Sequence, residues 1–177
     1  NGSTGLHGVT VSPDGRFVFV SHILARYTVP TTQLERGWIN TNAVSIIDAS
    51  RKGLIETVLL DDVDYGAANP WALACTSDSK YLCVTHAGIH ELSVIDVAAM
   101  INKIKSYSQT KAGQAPGSAA NAYSAYSSGT QMPSDIPNEL SFLYGLRSRV
   151  KLLGKGPRAL AVVGQTAYVA EYFTDSM

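Results

Sequence analysis

The sequence predicts an all-β protein assembled from repeated four-stranded antiparallel sheets, and two observations carry that expectation. The stretch 7–22, HGVTVSPDGRFVFVSH, recurs 64 residues later as 71–86, WALACTSDSKYLCVTH, and self-similarity at such a period marks a repeat architecture. Within each copy, apolar residues alternate with small or polar ones on either side of a turn-forming cluster, the period-two pattern of half-buried strands.

Taken in order, Val9 and Val11 form strand A of the first unit, and Phe17 and Phe19 form strand B after the Ser12–Arg16 turn. Pro, Asp and Gly supply that turn's backbone needs. Val44, Ile46 and Ile47 before Asp48 predict strand C, and Leu54–Leu60 predicts strand D. The second unit places A at 71–76, B at 81–86 and C at 91–96, with D delayed to about 147–153. In the interval, 97–105 has helical apolar spacing, and 106–135 reads as a long surface loop rich in Ser, Ala and Gly with Tyr107, Tyr123 and Tyr126. A third copy begins with Arg158–Val163 and Ala167–Glu171, joined by a turn two residues shorter.

Four antiparallel strands repeated in order are the pattern of a β-propeller blade, packed face to face with its neighbours around an axis. A β-sandwich with as many strands gives them no reason to resemble one another. The expected bounds are blade 1 at about 6–60 with an insertion at 23–41, blade 2 at about 70–153, and the start of blade 3 at about 157–177. Closed rings have about four to eight blades, so roughly two and a half blades predict an incomplete ring. The expectation is a piece of a longer protein, or a ring completed by remaining blades or other copies.

The segments Val9–Ser21 with Val44–Asp48, and Tyr81–His86 with Leu92–Asp96, resemble the YVTN-repeat β-propellers of surface-layer and periplasmic proteins. Pro70–Cys75, Thr85–Gly88, Gly156–Gly164 and Tyr168–Tyr172 resemble a subset joined to a di-haem cytochrome c peroxidase-like domain. The resemblance implies a periplasmic or cell-surface location, and, for the subset, haem c on a cytochrome c domain outside this segment. Where the family has Asn after strand B, this chain has His22, His86 and Glu171.

Composition narrows the partners. Fourteen Lys and Arg balance fourteen Asp and Glu, so no net field recruits nucleic acid or an anionic membrane. No apolar run reaches the roughly 18–20 residues that cross a bilayer. The chain opens without an initiator Met, and the expectation is a signal peptide already removed. Cys75 and Cys83 lack metal or redox spacing. Partnered residue numbers that sum to 158 would set these cysteines opposite each other on A and B, and a sum of 157 would not.

Blade topology sorts the candidate site residues. The D-to-A and B-to-C connections open on one face, so the strand-A starts His7, Trp71 and Arg158 are predicted near the axis with the strand-B ends His22, His86 and Glu171. Such a mouth is a natural ligand site. Repetition of His22 and His86 favours a recurrent backbone role, whereas the differences among His7, Trp71 and Arg158 favour a particular one; packing is the competing reading for Trp71. His90 reads as an exposed loop residue. Asp61, Asp62 and Asp64 are weak oxygen-ligand candidates for Ca²⁺, with solvated turn acids as the alternative.

No nucleophile–base–acid arrangement, phosphate loop or haem-attachment motif is present in the sequence, so no cofactor is expected within this segment. The leading expectation is a non-catalytic binding or docking module of an extracytoplasmic protein. Its rivals are the propeller portion of a haem-dependent oxidoreductase and a Ca²⁺-dependent surface protein.

Overall fold

A computed structural model of the chain describes residues 2–25, 40–112 and 136–176. The hairpin turns show why the repeat is written as it is. Ser12 donates its hydroxyl to Asp14 at 2.6 Å and accepts the Phe17 N–H at 3.0 Å; Thr76 does the same with Asp78 at 2.6 Å and Tyr81 at 3.0 Å. Asp14 and Asp78 in turn accept the N–H groups of Arg16 and Lys80. The hydroxyl bond first, then the backbone bond, hold both carboxyls below their ordinary range. The left-handed position of each turn is Gly15 in one copy and Ser79 in the other. Ser79 also accepts the Asp14 N–H at 3.0 Å, which ties the two turns together.

From these turns grow two complete sheets and the beginning of a third. Strands β1 (Ser3–Val11), β2 (Phe17–Ala25), β3 (Asn40–Asp48) and β4 (Gly53–Leu59) pair antiparallel in that order. Strands β5 (Pro70–Cys75), β6 (Tyr81–His86), β7 (Glu91–Asp96) and β8 (Arg147–Lys151) repeat the arrangement. Strands β9 (Pro157–Val163) and β10 (Thr166–Glu171) form a two-stranded third sheet, extended by a bridge from Glu171 to Ser176. The strand order expected from the sequence is thus present in both complete units.

The differences lie at the insertions. Helix α1 runs Val97–Ala112, past the expected end at 105. Asp96 caps it by accepting the Ala99 N–H at 2.8 Å, and Val97, Met100, Ile101 and Ile104 bury one stripe at helical spacing. Tyr107 continues that stripe, meeting Phe142 edge-on at 5.6 Å. The first insertion, expected at 23–41, begins later, because Ile23, Leu24 and Ala25 still pair with Asn42, Thr41 and Asn40. Its centre, 26–39, and the loop tyrosines Tyr123 and Tyr126 lie outside the described residues.

Sheet faces pack against sheet faces. Phe17, Phe19, Val44 and Ile46 of the first sheet meet Leu73, Leu82, Val84 and Ile95 of the second in one core, which also takes in the α1 stripe, Ile136 and Phe142. Cys83, Leu92 and Val94 on the other face meet Leu160, Val162, Ala167 and Val169 of the third sheet. The register of β5 on β6 pairs Ala74 with Cys83 and Cys75 with Leu82, so the partner numbers sum to 157. Cys75 therefore faces one seam and Cys83 the other, as free thiols. Burial raises both thiol pKa values, that of Cys75 to about 11.

Gly8 marks the closest approach between the first two sheets. A Cβ there would collide with the Trp71 carbonyl oxygen, and Ser21 fills the same gap, accepting the Gly8 N–H at 3.0 Å and donating to Trp71 O at 2.8 Å. Removing the fully buried Phe19 ring in Phe19→Ala is expected to cost about 3–5 kcal/mol, and Gly8→Ala to destabilise by forcing the sheets apart. Urea unfolding checks both; a Gly8→Ala midpoint equal to that of the parent would remove the close-approach argument.

Candidate functional site at the strand starts

Three side chains from three successive strand-A starts meet in one column. His7 stacks on Trp71 with ring centroids 4.1 Å apart and planes 12° from parallel. Its Nδ1 donates to Pro70 O at 3.1 Å, because a carbonyl can only accept, and that fixes the ring's orientation. The Arg158 guanidinium lies over Trp71 at 4.6 Å, over Tyr172 at 4.4 Å and near Phe173 at 5.4 Å. His7 is exposed, while Trp71 and Arg158 are half-buried. Strands repeated around an axis bring equivalent positions side by side, so residues 151 positions apart in sequence share one stack.

The strand-B ends sit differently: all three are buried. His86 makes two hydrogen bonds, Nδ1 to Ala67 O at 3.1 Å and Nε2 to Ser93 Oγ at 2.7 Å. Burial, aided by repulsion from Arg149 and Arg147, lowers its pKa from 6.5 to about 3. The ring is therefore neutral, with Nδ1–H donating to Ala67 and Nε2 accepting from Ser93. Glu171 takes the equivalent place in the third sheet: Gly154 N–H donates to one oxygen at 2.9 Å and the Ser176 hydroxyl to the other at 2.6 Å. In each case a strand-B residue ties the incoming connection to the segment that pairs beside it, β7 for His86 and the Ser176 bridge for Glu171. His22 bonds Ser45 Oγ through Nε2 at 2.8 Å, and burial lowers its pKa as well. Its Nδ1 is buried without a hydrogen-bond partner among the described residues. His90, expected to be an exposed loop residue, is half-buried, accepts the Gly156 N–H at 3.1 Å and adds a tie between the second and third units.

The three aspartates do not form a cation cage. Asp61 is buried and accepts the N–H groups of Asn42 (2.6 Å) and Ala67 (2.6 Å) and the Asn42 side-chain amide (2.9 Å). Asp62 pairs with Arg147 and, at 2.9 Å, with Arg149; Asp64 is exposed. Two guanidinium groups already supply the positive charge a cation would bring. Among the described residues, no group of three His, Cys, Asp or Glu is placed to hold a metal ion.

Sequence reasoning passed over the arginines that organise this region. Arg149 reaches Glu91 at 2.7 Å and Gly66 O at 2.8 Å and lies 4.4 Å over the Tyr65 ring; Arg147 also donates to Leu60 O. The available signal was Arg147-Ser-Arg149 on a strand, two cations on one face, 83 residues or more beyond the acidic 61–64 segment. Together they pin the connection between the first two sheets onto strands β7 and β8.

No protein-family model matches the chain. Hydrazine synthase subunit beta of Kuenenia stuttgartiensis is 29% identical over 107 residues, which is 60% of this chain and 28% of that protein. A solved structure of Kuenenia stuttgartiensis hydrazine synthase superposes with a TM-score of 0.75 at 23% identity, covering 99% of this chain and 45% of that one. The fold is a partial β-propeller. The chain spans less than half the length of either relative, and the likeness in structure shows the fold alone.

In the unfolded chain His86 takes up a proton near pH 6.5, whereas in the folded chain it stays neutral down to about 3. Stability is therefore expected to fall as pH drops through that window and to be insensitive to this residue above it. Urea midpoints between pH 7 and 4 should decline less steeply for His86→Gln than for the parent; equal slopes would remove the assignment. Asp61→Ala is expected to lose about 3 kcal/mol or more, since three donors lose a charged acceptor. Ca²⁺ should leave the parent's melting temperature unchanged, and a Ca²⁺-dependent rise abolished by Asp61→Ala would restore the cation reading.

Proposed function

We propose that this chain is a docking portion of a propeller subunit in a multi-protein, extracytoplasmic complex, with no catalytic centre of its own. One observation carries the reading. Val9, Val11, Val18, Val20 and Ile47 share the face of the first sheet turned away from the second, and their repeat equivalents are Leu73, Cys75, Leu82, Val84 and Ile95. In the second sheet that set packs in the core of the seam, while in the first Val9 is 66% and Val11 54% exposed. His22 belongs to the same face, and among the described residues its Nδ1 has no hydrogen bond like that of His86 to Ala67. The surface has the chemistry of a blade seam, and a further blade presenting an apolar face is the occupant it fits. Such a blade would come from the rest of the protein or from another copy.

The similarity to a hydrazine synthase subunit supports membership of an enzyme assembly, and the resemblance of the repeat to YVTN-type propellers favours an extracytoplasmic location. Cofactor chemistry, haem c included, is then assigned to other parts of that assembly. Native mass spectrometry and co-purification of the full-length protein test the reading, comparing the parent with a Val9→Asp, Val11→Asp variant. The expected result is loss of assembly with the Trp71 environment preserved; unchanged mass and partners would overturn it. A Soret band that co-purifies with the parent but not with the variant would place haem in the partner.

A further inference from the structure

Arg158 is held in a way that leaves half of its chemistry unused. Trp71, Tyr172 and Phe173 crowd its planar group at 4.4–5.4 Å, cation–π contacts that hold a guanidinium without engaging its N–H donors in hydrogen bonds. Gly156, at φ +68°, lets the chain pass under the Phe173 ring, where any Cβ would collide. Among the described residues Arg158 makes no ion pair, and its Nε is buried with no acceptor. Buried donors are satisfied in the great majority of cases, and each exception calls for an explanation.

Arg158 borders an open cavity of about 650 Å³ that it shares with Ala159, Ala170, Glu171, Tyr172 and Asp175. The small alanines leave room beside the guanidinium. Glu171 is committed at both oxygens, to Gly154 and Ser176. Asp175 is exposed and, among the described residues, forms no ion pair with Arg158. The cavity thus offers one cationic fork and one free carboxylate, held apart. A doubly charged phosphate would face two acids with a single cation to receive it. A carboxylate matches the planar fork in two parallel bonds, and an ammonium or N–H donor on the same molecule matches Asp175.

We infer that this cavity binds a small zwitterion, with its carboxylate on Arg158 and its amino group toward Asp175. The site is separate from the seam face proposed for docking, so either reading can fail without the other. The test is titration of the full-length protein, carrying Trp38→Phe so that of the chain's two tryptophans only Trp71 reports, with glycine, β-alanine, acetate and phosphate. Glycine or β-alanine should give a saturable change in Trp71 fluorescence, acetate a weaker one and phosphate none.

Arg158→Lys keeps the charge but loses the fork, and should weaken binding about tenfold or more. Asp175→Asn, which tolerates the left-handed φ of 48° at this exposed turn, should reduce zwitterion affinity to that of acetate. Absence of a saturable change with both zwitterions, or affinities unaltered in both variants, would overturn the inference. Phosphate binding as tight as glycine would replace it with a general anion site.

Discussion

Everything in this molecule depends on a four-stranded sheet having two apolar faces and no way to bury either by itself. The first sheet buries Phe17, Phe19, Val44 and Ile46 only because the second offers Leu73, Leu82, Val84 and Ile95 across the seam. The hydrophobic term is non-directional, so it would tolerate many relative positions of the two sheets. Polar ties choose one. Ser21 bridging Gly8 to Trp71 sets the spacing at the inner strands, and His86 bonding Ala67 and Ser93 fixes where the incoming connection crosses.

That constraint also shapes the chemistry at the strand starts. A repeat delivers equivalent strand starts to one place, and the sequence is free to vary them because their backbone duties are met by neighbours. His7, Trp71 and Arg158 use that freedom to build a stack of three different rings and planes. The strand-B ends have no such freedom. His86 and Glu171 differ in chemistry yet perform one task, joining an incoming connection to the next segment of the sheet, because an imidazole N–H can donate to a carbonyl where a carboxyl oxygen accepts from an N–H. The identity of the backbone group presented decides which side chain serves.

Much of this was legible beforehand. The paired turns at Ser12 and Thr76 follow from short-range rules, since hydroxyl, carboxylate and N–H all lie within five residues of one another. The grouping of His7, Trp71 and Arg158 followed from repetition alone. The arginine network did not, because Arg147 and Arg149 find Asp62 and Glu91 across 85 and 58 residues respectively, and nothing local announces such partners. Asp61 looked like an exposed turn acid for the same reason: its three donors come from Asn42 and Ala67, and only folding brings Asn42 to it. The length of α1 was underestimated because the stripe continues through Tyr107, whose burial depends on the distant Phe142.

By itself, then, the sequence determined the unit and its multiplicity: strand order, turn chemistry, the alternating faces and the positions that recur. These are set by interactions along the chain or by copying, and both are visible in one dimension. The tertiary structure decided which face each cysteine joined, which acids are saturated and which donors are left without acceptors. Those outcomes turn on a one-residue choice of register and on distances of about 3 Å between segments far apart in the chain, and periodicity carries no information about either.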